Sequence, residues 1–319
     1  NTPEQPLFRL LEANGYEQGR TLFRFSYNWL GSNNTAAANL ASYVETVKDG
    51  IENRIGVRPE HVSIVAHSMG GFVTRIYLAG HQSDVDRAVT IGSPYAGSAE
   101  MVARGTRWSS ILSGPAQLLP TWQTVFDPAG NPVPDNAGYG YNPWVQANVW
   151  GAPQPDIAFY STQYDTARTV TLTEYEIWDP QFGPRTESRW DRRDYIPGDE
   201  TVDRLSAVAS VGSTRIVGGN HAGAILSFNR GGGGVVESAA SQVLSHLQSS
   251  PRGGPENCYP YKLEINITPP QTEIPACVPV NFEVKVLNRD TGEPVEQLRN
   301  NETLEVKISG SAFERETTQ

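Results

Sequence analysis

Cysteine is almost absent from this chain of 319 residues: there are two, Cys258 and Cys277. They form no C-x-x-C pair and no cysteine–histidine cluster, so the ligand set of a structural zinc site is lacking. Both fall in one C-terminal stretch, which suits a single disulfide in an extracytoplasmic module and suits two buried free thiols equally well. Long apolar runs are also missing. No stretch reaches the ~18 residues a membrane-crossing helix needs, so no integral membrane segment is expected. Basic residues are outnumbered, 25 Lys and Arg against 35 Asp and Glu, for a net charge of −10. A phosphate-backbone partner needs a basic face, so nucleic-acid binding is excluded, and no polybasic run suggests a lipid anchor. No cofactor and no metal are expected.

The length suits one large domain plus a smaller one. The chain opens on Asn1 without methionine or signal peptide, and Thr2-Pro3-Glu4-Gln5 reads directly as a helix start. In that reading Thr2 caps, Pro3 takes the first helical position and Gln5 completes a capping box, as in a processed product or a fragment. N-x-[ST] sequons occur at Asn33, Asn266 and Asn301; they carry meaning only in a glycosylating secretory host.

Residues 3–14 read as a helix with Leu7, Leu10 and Leu11 on one face, and 20–27 as a strand. Asn33-Asn34-Thr35 caps a long helix in which Leu40, Tyr43, Val44, Val47, Ile51 and Ile55 recur at helical spacing. Apolar runs at 62–66, 87–92, 157–164 and 214–218 alternate with helical stretches, the last helix covering 237–246. That alternation predicts a mostly parallel sheet with helices on both faces.

Regularity fails over 99–155, where prolines punctuate a segment dense in aromatics, among them Trp108, Trp122, Trp144 and Trp150. A stretch of that length without periodicity is expected to be a cap over a site, with an apolar acyl pocket and a contact with lipid surfaces. A second insertion is expected over 166–196. It opens on a hairpin strand at 169–178 and continues into the mixed-charge run Arg185 to Asp194, read as a solvated face. Residues 249–257, rich in Ser, Pro and Gly, form a linker after a domain spanning 1–248. From 258 to 319 apolar residues alternate with period two, as in an immunoglobulin-like β-sandwich module. Its length is short of the ~100 residues such a sandwich normally takes, so the module is expected to be incomplete.

The most specific feature is Ala66-His67-Ser68-Met69-Gly70-Gly71, where the apolar run 62–65 stops and a helix over 71–79 begins. A serine on so sharp a strand-to-helix turn is exposed at the top of the sheet, the arrangement of the G-x-S-x-G nucleophile elbow with Ala66 at the first small position. A serine hydroxyl needs a base. Of the five histidines, His67 adjoins the serine and points elsewhere, His61 and His81 open a strand and close a helix at the surface, and His246 lies in the closing helix. His221 follows the strand 214–218 on a loop, at the sheet edge where ligands bind, and is the expected base.

The base needs a carboxylate. Gly198-Asp199-Glu200-Thr201-Val202 offers the best context, and the 22 residues from Asp199 to His221 leave room for one short helix and one strand. Asp165 is the runner-up; Glu200 and Asp203 are expected to be solvated or to cap the next helix. The order Ser68, Asp199, His221 is that of α/β-hydrolases. The Met69 N–H is one expected oxyanion donor, and the strand and loop that normally carry the second would precede Asn1.

These residues resemble the lipases and acyltransferases of the lecithin:cholesterol acyltransferase-like group and secreted bacterial lipases with the same elbow. Residues 91–98, Ile-Gly-Ser-Pro-Tyr-Ala-Gly-Ser, look like that group's T-P-H-x-G-S stretch, with Tyr95 in place of histidine. Gly198-Asp199-Glu200-Thr201-Val202 looks like its G-D-x-T-V acid loop, and Asn220-His221 with Ile225-Leu226 like its histidine loop. The resemblance covers about residues 1–248. It implies an α/β-hydrolase fold, a Ser68–His221–Asp199 triad, a small-molecule or lipid ester substrate, and a place outside the cytoplasm. Hydrolysis through an acyl-enzyme is the expected reaction. Acyl transfer to an alcohol uses the same triad, peptidase or thioesterase chemistry fits the same fold, and a catalytically silent adhesion protein is the reading from another class.

Overall fold

The computed structural model describes residues 4–103, 112–134, 142–222, 233–250, 261–268, 281–288, 292–294, 305–310 and 313–318. The chain divides into two compact units, one of residues 1–43 with 61–253, the other of residues 44–60 with 254–319.

In the first unit, α1 (Gln5–Ala13) buries Leu7 and Leu11 as the leucine spacing predicts. Glu4 holds its N-cap position without a side-chain bond, so Gln5 closes no capping box; Thr2 and Pro3 lie outside the described residues. The expected strand over 20–27 is not formed. Only an isolated bridge, Gln18 with Leu22, is made there, because no described strand lies beside it to complete a ladder. Its aromatics pack sideways instead: Phe25 stacks on Tyr27 at 5.9 Å, and the Tyr43 hydroxyl donates to the Arg24 carbonyl at 3.0 Å. α2 (Asn33–Ile55) follows, its residues as far as Tyr43 in this unit and the rest in the other. Asn33 is fully buried, its Nδ2 donating to Gln117 Oε1 at 2.9 Å, which leaves no room for a glycan at that sequon.

β1 (Val62–His67), α3 (Gly70–His81) and β2 (Val85–Ile91) form a parallel β-α-β unit. α4 (Ala99–Ala103), α5 (Ser113–Gln117), the short strand β3 (Val125–Phe126) and α6 (Pro143–Val145), continued by a π-turn at Gln146–Trp150, precede β4 (Ile157–Ser161). After an excursion formed by β5 (Tyr164–Asp179) and β6 (Gly183–Gly198) come α7 (Arg204–Ala207), β7 (Thr214–Val217) and α8 (Val235–Gln248). The four sheet strands run in the order β1-β2-β4-β7, every neighbouring pair parallel. Ala88, Val89, Thr90 and Ile91 are buried in succession, so both faces of β2 are covered, with α3 and α8 packed against it. Such continuous apolar burial is what a parallel sheet between helix layers requires. This is an α/β-hydrolase fold.

The excursion is a long antiparallel ribbon of β5 (Tyr164–Asp179) and β6 (Gly183–Gly198). The mixed-charge run is therefore a strand, longer and more regular than the single hairpin strand expected at 169–178. β3 adds to β5 in parallel, and Val102, Val125, Val170 and Leu172 pack under the base of the ribbon. Arg192 clasps Glu100 through two bonds of 2.6 Å. Between Leu172 and Trp190 no ribbon residue is buried, so this part stands free in solvent. Its turn is closed by Asp179, whose Oδ1 accepts from the Gln181 and Phe182 N–H groups at 2.8 and 3.1 Å.

In the second unit β8 (Tyr261–Thr268) pairs with β9 (Asn281–Asn288), and β10 (Glu305–Gly310) with β11 (Phe313–Thr318), both antiparallel. Cys258 and Cys277 lie outside the described residues, as does most of the expected linker.

Candidate active site

Ser68 follows the last residue of β1 and adopts φ +55°, a conformation disfavoured for a residue with a side chain. The turn is held by its own N–H donating to the Ile91 carbonyl at 2.9 Å and by the Gly71 N–H donating to the Ser68 carbonyl at 3.0 Å. Two glycines make the approach of helix to strand feasible. A Cβ on Gly70 would stand 3.3 Å from that of Ala66, and one on Gly71 would stand 2.6 Å from that of Ser93. Met69 begins the helix as its N-cap residue with its side chain buried, which sets its N–H among the unpaired amides of the first turn.

His221 Nε2 lies 2.8 Å from Ser68 Oγ and its Nδ1 lies 2.8 Å from Asp199 Oδ2. The Asp199 carboxylate is buried, and its other oxygen accepts from the Thr201 and Val202 N–H groups at 3.0 and 2.7 Å. Bonds to both of its oxygens fix the carboxylate in place, facing His221 Nδ1 while Nε2 faces the serine hydroxyl. The backbone repeats the link, the His221 N–H donating to the Asp199 carbonyl at 2.8 Å. Gly92, at φ +58°, passes beneath the pair: a Cβ there would lie 3.1 Å from Asp199 Oδ2 and 3.4 Å from His221 Nδ1.

α7 and β7 fill the interval between Asp199 and His221. Asp165, the runner-up, is exposed and paired in the ladder with Pro197. Asp203 caps α7, accepting from the Leu205 and Ser206 N–H groups, and its buried carboxylate also binds Arg168 at 3.0 Å. His67, expected to point elsewhere, has its ring 4.8 Å from that of His221. Burial, then the neighbouring His221, pull its pKa down to about 3, so it stays neutral. His81 stacks on Tyr77 at 4.7 Å and bonds Asp84, away from the site.

Residues 5–121 match the family model of lecithin:cholesterol acyltransferase. The matched span contains the Ser68 elbow and ends before Asp199 and His221. The chain resembles this group of α/β-hydrolases, including the stretch from Gly92 to Ser98 where Tyr95 stands for histidine. Tyr95 is fully buried: its hydroxyl donates to Thr90 Oγ1 at 2.8 Å, and its carbonyl accepts from Trp150 Nε1 at 2.6 Å. Burial pushes its pKa up to about 12, so it serves this packing as a neutral phenol. Among solved structures, the mature form of the lipase BlEst2 of Bacillus licheniformis is 12% identical; the match covers 78% of this chain and 86% of that one with a TM-score of 0.41. No curated protein sequence matches the chain significantly.

Residues not anticipated from sequence complete the site. Thr166 Oγ1 accepts the Glu200 N–H at 2.9 Å, steadying the acid loop where Glu200 sits at φ +76°. Gln163 Oε1 accepts the Gly219 N–H at 2.7 Å and steadies the histidine loop. Neither carries a sequence signal, because a buried threonine and a loop glutamine look the same in any strand exit. Among the described residues no group of His, Cys, Asp and Glu is arranged to hold a metal ion.

Proposed function

We propose that the chain is a serine carboxylic-ester hydrolase of the lipase and esterase kind, working through an acyl-enzyme. The observation that carries this reading is the continuous relay Ser68 Oγ–His221–Asp199, with both links at 2.8 Å. Ser68 Oγ attacks the ester carbonyl carbon while His221 Nε2 takes its proton, and Asp199 stabilises the imidazolium. The oxyanion forms toward the Met69 N–H at the start of α3, where the helix dipole favours negative charge. Collapse breaks the ester C–O bond and His221 returns the proton to the departing alcohol. Water then repeats the cycle on the acyl-enzyme and releases the carboxylic acid.

The substrate is read as a lipid or small-molecule ester. The matched family and the aromatic cluster of Phe72, Tyr95, Trp144 and Trp150 around buried Met69 support an apolar acyl partner. Residues 99–155 act as the cap and its contact with a lipid surface, 166–196 as a second insertion, 1–248 as the catalytic domain, and 258–319 as a separate immunoglobulin-like module joined by 249–257. Among the described residues no helix is long and apolar enough to cross a membrane, which is compatible with a secreted protein.

The family description favours a second reading, acyl transfer to an alcohol in place of water. Hydrolysis of p-nitrophenyl butyrate and palmitate by the protein and its Ser68→Ala variant tests the first reading, and adding a long-chain alcohol tests the second. Turnover lost in Ser68→Ala supports the hydrolase, and ester formed with the alcohol supports the transferase. A folded protein with no serine-dependent turnover would point to a silent adhesion role.

A further inference from the structure

The ribbon has an open edge along the whole of β6, whereas β5 is covered by β3 only at Val170 and Thr171. Among the described residues β6 has β5 on one side and no strand on the other. Over residues 183–193 its register against β5 is constant and free of bulges; the ladder is interrupted only at Asp194, which takes φ +50°. A long, regular, exposed edge is a template for another strand unless charges, prolines or bulges blunt it. Here Pro184 removes one donor near the tip, and beyond it the charges are arranged so that a second copy of the strand can complement them. Arg185, Glu187, Arg189, Asp191 and Arg193 follow one another on a single face with the sign alternating at each step.

We propose that β6 pairs antiparallel with β6 of a second copy of this chain, about a two-fold axis at Ser188. Ser188 is the midpoint of the regular segment 183–193, so this register gives the greatest overlap. It sets Arg185 opposite Asp191 of the partner subunit and Glu187 opposite Arg189 of the partner subunit, each contact made twice by symmetry. Sliding one strand by two residues, the smallest slip that keeps the faces, reverses the result. In one direction it sets Arg185 against Arg189 and Glu187 against Glu187; in the other, Arg185 against Arg193 and Glu187 against Asp191. Opposite charges directly across a ladder stabilise it and like charges destabilise it, so the pattern selects one register.

In the single chain Arg185 bonds Glu187 at 2.8 Å and Arg189 bonds Asp191 at 2.9 Å along their own strand, while Arg185 also pairs with Asp179 at 3.2 Å and Glu187 accepts from the Tyr175 hydroxyl at 3.3 Å, both on β5. Such exposed pairs contribute little, so exchanging them for cross-strand partners costs little. Pairing would also give the solvent-exposed ribbon the further strands a lone hairpin needs for stability. The same ribbon bears exposed Trp178 and Phe182 at its tip, which makes a lipid surface the rival occupant.

Sedimentation velocity on the full chain over a range of concentrations tests the proposal without relying on ester turnover. A concentration-dependent dimer is expected. Glu187→Arg should weaken it about tenfold or more, and the swap Glu187→Arg with Arg189→Glu should restore it. Ser188→Cys should oxidise to a 188–188 disulfide, identified by mass spectrometry of the linked peptide. Circular dichroism on each variant separates lost pairing from lost fold, and the swap and cysteine variants stand if Glu187→Arg fails to fold. A monomer at all concentrations, or a dimer indifferent to Glu187→Arg, overturns the proposal. So does a monomer that floats with neutral phosphatidylcholine vesicles through Trp178 and Phe182.

Discussion

Asp199 and His221 are joined twice, by Oδ2 to Nδ1 at 2.8 Å and by the Asp199 carbonyl to the His221 N–H at 2.8 Å. The backbone bond holds the loops together whatever the carboxylate does. Asp199→Asn should therefore leave the fold in place and act on chemistry, because the amide favours the wrong imidazole tautomer. A loss in kcat of about 10²–10⁴ is expected on a soluble p-nitrophenyl ester, with KM little changed. Asp165→Asn, at an exposed ladder position, should leave kcat within a factor of about two; a large loss there would move the acid role to Asp165.

His67 makes stability depend on pH. Its pKa is lowered to about 3 in the fold against an ordinary value of 6.5, so below that ordinary value the unfolded chain binds a proton that the fold refuses. Stability is complete above pH 6.5 and is lost as pH falls toward 3, by up to about 1.4 kcal/mol per unit. Urea midpoints at pH 7, 5 and 4 should fall more steeply for the native chain than for His67→Gln, which carries the same titrating carboxylates. Equal slopes would mean that His67 is not held neutral.

Gly71→Ala should destabilise the fold by about 1–3 kcal/mol, since the new methyl meets the Ser93 side chain. Removing that side chain should recover part of the loss, so the double variant Gly71→Ala with Ser93→Gly is expected to be more stable than the sum of the two single changes predicts. Strict additivity in urea unfolding would place the strain elsewhere.

Arg75 is fully buried in α3, and among the bonds described its two Nη groups donate to neutral oxygens alone while its Nε is left without a partner. Its guanidinium donates to the Ser210 carbonyl and hydroxyl at 3.0 and 2.7 Å and to the Trp150 and Ala152 carbonyls at 3.3 and 2.8 Å, and lies 5.3 Å from the Tyr95 ring. A single ammonium cannot span these oxygens. Arg75→Lys should cost about 2–4 kcal/mol in thermal or urea unfolding despite conserving charge.

Ser68 was legible because the elbow needs small residues at fixed offsets, and Gly70 and Gly71 stand where the packing demands them. Asp199 and His221 were legible from strand exits and from an interval that one helix and one strand fill. The 20–27 segment misled because β-forming side chains make a strand only where a neighbour completes the ladder. The ribbon was underestimated for a different reason. A strand wet on both faces shows no alternation of apolar and polar residues, and the period-two signal survived only in the sign of the charges at Arg185, Glu187, Arg189 and Asp191. Thr166 and Gln163 act through single bonds to loop amides, and nothing in their immediate sequence marks them.

The single register of the ribbon, running from Tyr164 opposite Gly198 to Asp179 opposite Gly183, bears on how this region can change through descent. Asp199 is the next residue after Gly198, so the ribbon works as a pair of matched rails ending at the carboxylate. A lineage can lengthen or shorten it freely by adding or losing equal numbers of residues on both rails, and the acid stays where it is. An unequal change of one residue would move the acid loop by about 3.3 Å along the strand and turn its side chains to the opposite face. Ribbon length should therefore drift between relatives in balanced steps, and the turn at 180–182 is the natural place to graft a foreign loop.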